Sequence, residues 1–193
     1  MESNMKQELL KKIESRSIVA GVVGLGYVGL PLAVEKAKAG FKTIGFDVQT
    51  SKVDAVNADL EKLVKEGALR ATTDFGFIKE VDFIAICVPT PLDKHQEPDI
   101  SYVRDSAMEV SKYLKPGTMV VLESTTYPGT TEELIKPILE NGSGLVCGKD
   151  FYLGFSPERV DPGNLIYKTK NTPKVVGAIG DDAAEVISAM YRT

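Results

Sequence analysis

Tryptophan is absent from this chain of 193 residues, histidine occurs once, and cysteine occurs only at Cys87 and Cys147. Two cysteines are too few for a disulfide framework, so a reducing, cytoplasmic setting is expected. There is no basic excess: 23 Lys and Arg against 27 Asp and Glu leave a net charge of −4. That balance excludes the electrostatic footprint of a nucleic-acid binder, and the lysine clusters read as solvated helix faces. No apolar run approaches the roughly 18 residues of a membrane span. Residues 1–17 lack an apolar segment of the kind a secretion signal needs, and no internal repeat or low-complexity tract is found. The length fits one sizeable domain, or a domain plus part of another. It suffices to bury roughly 70% of the unfolded surface, so no metal or disulfide staple is required and no metal is expected.

Against these absences stands one organised stretch, IVAGVVGLGYVGLPLA, from Ile18 to Ala33. A β-branched apolar run meets Gly24, Gly26 and Gly29, and a helical pattern follows. Strand, glycine turn and helix start form the receiver of a dinucleotide pyrophosphate. The first glycine permits the turn, the second lets phosphate approach the backbone, and the third lets helix pack on strand. The helix start adds unpaired N–H groups and the positive end of its dipole. With 17 glycines in the chain the spacing alone is weak, and context has to support it. Asp47 does so. It ends a second predicted strand, Lys42–Asp47, about 20 residues beyond the glycines, where a carboxylate accepts from adenosine ribose hydroxyls. A carboxylate there repels a 2′-phosphate, so NAD is the expected cofactor in preference to NADP.

Further along, helices are predicted over Leu30–Ala39, Ser51–Glu66, Asp99–Leu114 with Asp99 as N-cap, Thr130–Leu139, and from Asp181. Strands are predicted over Leu69–Thr73, Val81–Val88, Thr118–Leu122, Phe151–Phe155 and Val175–Ile179, with a loop over Asn141–Gly148. Leu9, Leu10 and Ile13 can form one face of a short helix laid against the domain. The alternation predicts an α/β fold: a Rossmann-like, doubly wound, mainly parallel sheet with helices on both faces. Right-handed crossovers bring the strand ends to one edge. That edge would carry Asp47, the rigid Pro89-Thr90-Pro91 loop, Ser124 with Thr125, and Glu158. Pro89 and Thr90 are candidate cofactor contacts, the alternative being a stiff connection. Ser124 and Thr125 lie near the expected nicotinamide end, suited to hold a water or substrate. Cys87 reads as a small core hydrophobe, Cys147 as incidental, and His95 as an exposed loop residue.

The segments GVVGLGYVGLPLA (21–33), GFDV (45–48), CVPTPL (87–92), ESTTYPGTTEE (123–133) and FSPERVDPG (155–163) together resemble the UDP-glucose/GDP-mannose dehydrogenases. The PERVDPG form is most similar to the branch acting on UDP-N-acetylhexosamines, such as UDP-N-acetylglucosamine. The resemblance implies a four-electron oxidation of a sugar 6-hydroxyl by two NAD, through a cysteine-bound thiohemiacetal and thioester, to the uronic acid. It also implies that Tyr27 and Val28 belong to the pyrophosphate turn and that Lys52 joins Asp47 at the ribose. Thr125 would orient a catalytic water, Glu158 would activate it, and Glu158 with Arg159 would meet the substrate.

Three departures bear on this resemblance. The family's nucleophilic G-G-H-C segment and central helical domain are absent, so neither cysteine inherits the nucleophile role. About a dozen residues are missing after Val56-Asn57 relative to the family pattern. Pro162 stands where some UDP-glucose members carry a second glutamate. The expected organisation is a helical extension (1–17) and an NAD-binding domain (18–193) that binds NAD with little or no turnover. The family's dimer contacts lie mostly in the missing domain, so a monomer is compatible with this chain while the full-length protein is expected to be a homo-oligomer. The alternative is a free-standing NAD-binding module that senses cofactor or serves a partner. A small hydroxy-acid dehydrogenase is disfavoured by the S-P-E-R segment.

Overall fold

The structure, a computed structural model, describes residues 4–92, 94–159, 169 and 171–193. The end of the fifth family-like segment, including Pro162, lies outside the described residues. Seven strands form one sheet: β1 (Val19–Val23), β2 (Lys42–Phe46), β3 (Leu69–Thr72), β4 (Phe83–Ile86), β5 (Thr118–Leu122), β6 (Phe151–Phe155) and β7 (Gly177–Ala178), in the order β3-β2-β1-β4-β5-β6-β7. Every pairing is parallel except β6 with β7, which is antiparallel. The sheet is thus mainly parallel and reverses its winding between β1 and β4.

Parallel strands covered on both faces read as near-continuous apolar runs. In β4 the alternation divides the residues between layers. Phe83 and Ala85 join one core with α1 (Asn4–Glu14), α2 (Gly29–Lys38) and α7 (Asp181–Tyr191). Ile84 and Ile86 join the other, with α5 (Ser101–Ser111) and α6 (Lys136–Ser143). A third, smaller cluster of Leu25, Val53, Val56 and Ala71 seats α3 (Thr50–Asp59) beside β3. Helix α1 buries Leu9 and Ile13 and fixes itself by ion pairs, from Lys12 to Asp82 at 3.0 Å and from Lys6 to Glu185 of α7 at 2.7 Å.

Several boundaries differ from expectation. The helix predicted over Ser51–Glu66 breaks at Leu60 (φ −106°, ψ 31°), leaving α3 and the short α4 (Glu61–Lys65). Just before the break, the Asn57 carboxamide donates to the Ala71 carbonyl and accepts from its N–H, fastening α3 to β3. The helix predicted over Thr130–Leu139 begins as wider π-type turns (Thr130–Ile135) and runs on as α6 to Ser143. The predicted loop therefore starts only at Gly144, whose positive φ of 73° ends the helix. Strand β4 is shorter than Val81–Val88, although the Asp82 and Cys87 N–H groups still donate to β1 carbonyls. The last strand shrinks from Val175–Ile179 to two edge residues after Pro173. Asp99 stands one residue before the helix cap, accepting from the Ser101 N–H at 2.9 Å.

Candidate active site

A cleft of about 1170 Å³ opens at the carboxyl ends of the parallel strands, centred where β1 and β4 part. This switch point is where open α/β sheets place ligands, because neighbouring connections leave in opposite directions. The turn from β1 to α2 forms its floor, and each glycine there answers a different constraint. Gly24 has φ of 93°, and a Cβ on it would come within 2.9 Å of the Cys87 carbonyl oxygen. On Gly29 a Cβ would lie 1.9 Å from the Gly24 carbonyl oxygen, so only glycine lets α2 start this close to β1. At Gly26 a Cβ would meet nothing within 4 Å: the space above it is open cleft. Tyr27 and Val28 complete the turn and line the cleft, Tyr27 being 73% exposed.

Asp47 leaves the end of β2 and is only 6% exposed. Its Oδ2 accepts from the Leu25 N–H at 3.0 Å and its Oδ1 from the Gln49 N–H at 3.0 Å, while Lys52 Nζ lies 3.4 Å from Oδ2. The carboxylate is thereby tied to the glycine turn itself. Oδ2 takes both the Leu25 N–H and the Lys52 ammonium, whereas Oδ1 retains a second lone pair and can still accept from a hydroxyl. Pro89 and Thr90 line the wall opposite, after β4. Ser124 and Thr125 follow β5, and Glu158 follows β6. The Ser124 hydroxyl donates to the Val88 carbonyl at 2.6 Å, pinning the β4 loop to the β5 end, whereas Thr125 is exposed.

Beneath this end lies a buried polar group that the sequence reading assigned no role. Glu123 is 1% exposed, with Tyr191 of α7 and Lys174 both donating to its carboxylate. Lys174 also stands 3.8 Å from Glu158. Burial, and after it the Glu123 charge, pushes the Tyr191 phenol well above its ordinary pKa, so it serves as a donor. The same two causes raise the Cys87 thiol well above the ordinary range. Cys87 lines the cleft but stays protonated, a poor nucleophile. Cys147 is half-buried and packs with the α5–α6 core. His95 is exposed.

Of the residues singled out from sequence, Gly24, Gly26, Tyr27, Val28, Asp47, Lys52, Pro89, Thr90, Ser124, Thr125 and Glu158 all line this cleft. Gly29 acts from beneath, by packing. Arg159 is not among the lining residues: its guanidinium donates to the Pro173 carbonyl at 3.2 Å and its N–H to Glu158 Oε1 at 2.7 Å. Tyr102, Asp105 and Glu109 of α5 form a further wall, to which the sequence had assigned no role.

A glycine turn with open space over its middle glycine, a carboxylate at the end of β2 and a switch-point cleft define a dinucleotide-binding α/β domain, and these residues fit NAD. Sequence comparison then makes the family specific: residues 18–193 match the UDP-glucose/GDP-mannose dehydrogenase family, NAD binding domain, and the chain belongs to that family. It is 43% identical over 177 residues to the protein CapL of Staphylococcus aureus, covering 88% of this chain and 42% of that one. It is 35% identical over 185 residues to the UDP-N-acetyl-D-glucosamine 6-dehydrogenase of Pseudomonas aeruginosa, covering 92% and 44% respectively. Among solved structures, the NDP-N-acetyl-D-galactosaminuronic acid dehydrogenase of Methanosarcina mazei Go1 superposes with a TM-score of 0.86 at 37% identity, over 100% of this chain and 45% of that one. The chain thus spans less than half the length of these relatives. No helix among the described residues is long and apolar enough to cross a membrane.

Proposed function

We propose that this chain is the cofactor-binding part of a nucleotide-sugar 6-dehydrogenase, oxidising the 6-hydroxyl of a UDP-N-acetylhexosamine to a carboxylate with two NAD. The observation that carries this reading is the single cleft in which the glycine turn, Asp47 and Glu158 converge. Gly26 leaves room for the pyrophosphate against the backbone, and the start of α2 favours its charge. Asp47 accepts from the adenosine ribose hydroxyls, with Lys52 beside it. When bound there, NAD would supply the hydride acceptor. At the opposite end Thr125 orients a water and Glu158 takes its proton, a role suited to a carboxylate partly withdrawn from solvent. The names of the relatives, which specify N-acetylated sugars, favour an N-acetylated hexosamine as the substrate.

The same proposal assigns residues 18–193 to the NAD-binding domain and 1–17 to a helical extension. It places the protein in the cytoplasm, where thiols such as Cys87 and Cys147 stay reduced, and has the full-length enzyme act as a homo-oligomer. Turnover requires a reactive thiol that this chain does not supply, since Cys87 is held protonated and Cys147 lies apart from the cleft. Calorimetry on the 193-residue chain is expected to show NAD binding, and to show none if the cleft is misread. Steady-state NADH formation from UDP-N-acetylglucosamine by this chain alone would refute the assignment of the nucleophile to another segment.

A further inference from the structure

Lys174 joins two carboxylates that come from different strands. Its ammonium donates to Glu123, which follows β5, and lies 3.8 Å from Oε2 of Glu158, which follows β6. The Lys174 side chain is 14% exposed, and its nitrogen sits 5.2 Å from the centroid of the Tyr191 ring. Tyr191 in turn donates to the other Glu123 oxygen. An ammonium held by a buried carboxylate and an aromatic ring has little freedom, unlike a solvated surface lysine. Its separation from Glu158 exceeds a hydrogen bond, so it acts on that carboxylate through charge.

Two carboxylates that share one small region repel, and the proton affinity of one of them rises. Glu123, buried beside Glu158, would impose that cost on it. Among the described residues, the Tyr191 phenol, the Cys87 thiol and Lys36 of α2 also feel the Glu123 charge. Phenol and thiol are neutral, and Lys36 is committed to the Met190 carbonyl. Lys174 alone among the described residues is in ion-pair contact with both acids.

We propose that Lys174 is a positioning residue for Glu158: clamped from behind by Glu123 and Tyr191, it offsets the Glu123 charge and holds the Glu158 carboxylate at the reacting end of the cleft. The proposal rests on reading Glu158 as the group that takes a proton from water.

The test is carboxyl and ammonium NMR titration of the 193-residue chain, without cofactor or substrate. In Lys174→Met the Glu158 carboxyl is expected to titrate about one pH unit higher than in the parent chain. In Lys174→Arg, which restores a cation, most of that shift is expected to disappear. Amide spectra report whether each variant keeps its fold, which a purely structural role for Lys174 would put at risk while leaving the Glu158 midpoint in place. Should Lys174→Met lose its fold, Glu158→Gln decides, because the coupling is reciprocal. There the Lys174 ammonium is expected to release its proton at a lower pH. An unchanged Glu158 midpoint in folded Lys174→Met, or an unchanged Lys174 midpoint in Glu158→Gln, overturns the proposal. Loss of NAD binding by the parent chain would instead overturn the functional reading, and calorimetry on the same sample separates the two.

Discussion

Gly26 and Gly29 stand three residues apart in one motif, and the space around each decides what a methyl group would do there. At Gly26 an added Cβ touches nothing, so Gly26→Ala is expected to leave stability within about 0.5 kcal/mol of the parent, with NAD affinity falling because the methyl occupies the phosphate's approach. At Gly29 the same change drives the Cβ against the Gly24 carbonyl, and a loss of about 1–3 kcal/mol is expected, read by urea denaturation. A second residue-scale prediction concerns Asp47. Asp47→Ala should weaken NAD binding and narrow its advantage over NADP, and calorimetry with both cofactors checks this. Asp47 was legible in the sequence because its distance from the glycines is fixed by one strand–helix–strand unit. Lys174 was not, since it meets Glu123 across 51 residues of sequence. Nothing in the local sequence around either residue signals the contact. Arg159 shows the converse: the resemblance implied a substrate contact, and in the structure its guanidinium donates to the Pro173 carbonyl.

At the scale of elements, the strands were read more truly than their ends. Apolar runs such as Thr118–Leu122 identify a buried strand, whereas the length of a ladder depends on what the neighbouring strand offers. At the break at Leu60, tertiary contacts such as the Asn57–Ala71 pair just before it override a periodic pattern. Lys36 ties α2 to the end of α7, donating to the Met190 carbonyl at 2.5 Å and to the Thr193 hydroxyl at 3.0 Å. Burial, opposed by the Glu123 charge and aided by Arg16 and Lys174, lowers its pKa to about 8. In the unfolded chain a lysine holds its proton to about pH 10.4. Between these values the unfolded state binds more protons, so this contribution to stability grows as pH rises from about 8 towards 10. The Tyr191 and Cys87 shifts act oppositely above their ordinary values, because there the folded state holds protons that the unfolded state has lost. Lys36→Met isolates the lysine contribution. Relative to this variant, the parent is expected to gain stability between pH 8 and 10, by up to about 3 kcal/mol, in urea melts at a series of pH values. A constant difference across that window would show that Lys36 is not buried as a charge.

At the scale of the molecule, the cleft draws walls from the ends of β1, β2, β4, β5 and β6 and from α5, so its occupant bridges much of the sheet edge. Ligand binding to the folded state alone stabilises it by mass action: NAD at a hundredfold excess over its Kd contributes about 2.7 kcal/mol. For a chain of this size that corresponds to a rise in Tm of roughly 5–10 °C, with a smaller rise for NADP at equal concentration. Differential scanning calorimetry measures both, and equal shifts would remove the ribose-reading role of Asp47.

The sequence by itself determined the winding of the sheet, the glycine turn and the acid opposite it. These follow from periodicity and from spacings within a single strand–helix–strand unit, and local sterics enforce them. Only the tertiary structure decided which strand-end groups face the cleft and which are spent on the scaffold. It tied the Ser124 hydroxyl to Val88 and the Arg159 guanidinium to Pro173, and it buried Glu123 between Lys174 and Tyr191. The physical reason is that a polar group at a strand end takes its partner from whatever the fold brings within about 3 Å. At these positions that partner lies 14 to 68 residues away along the chain.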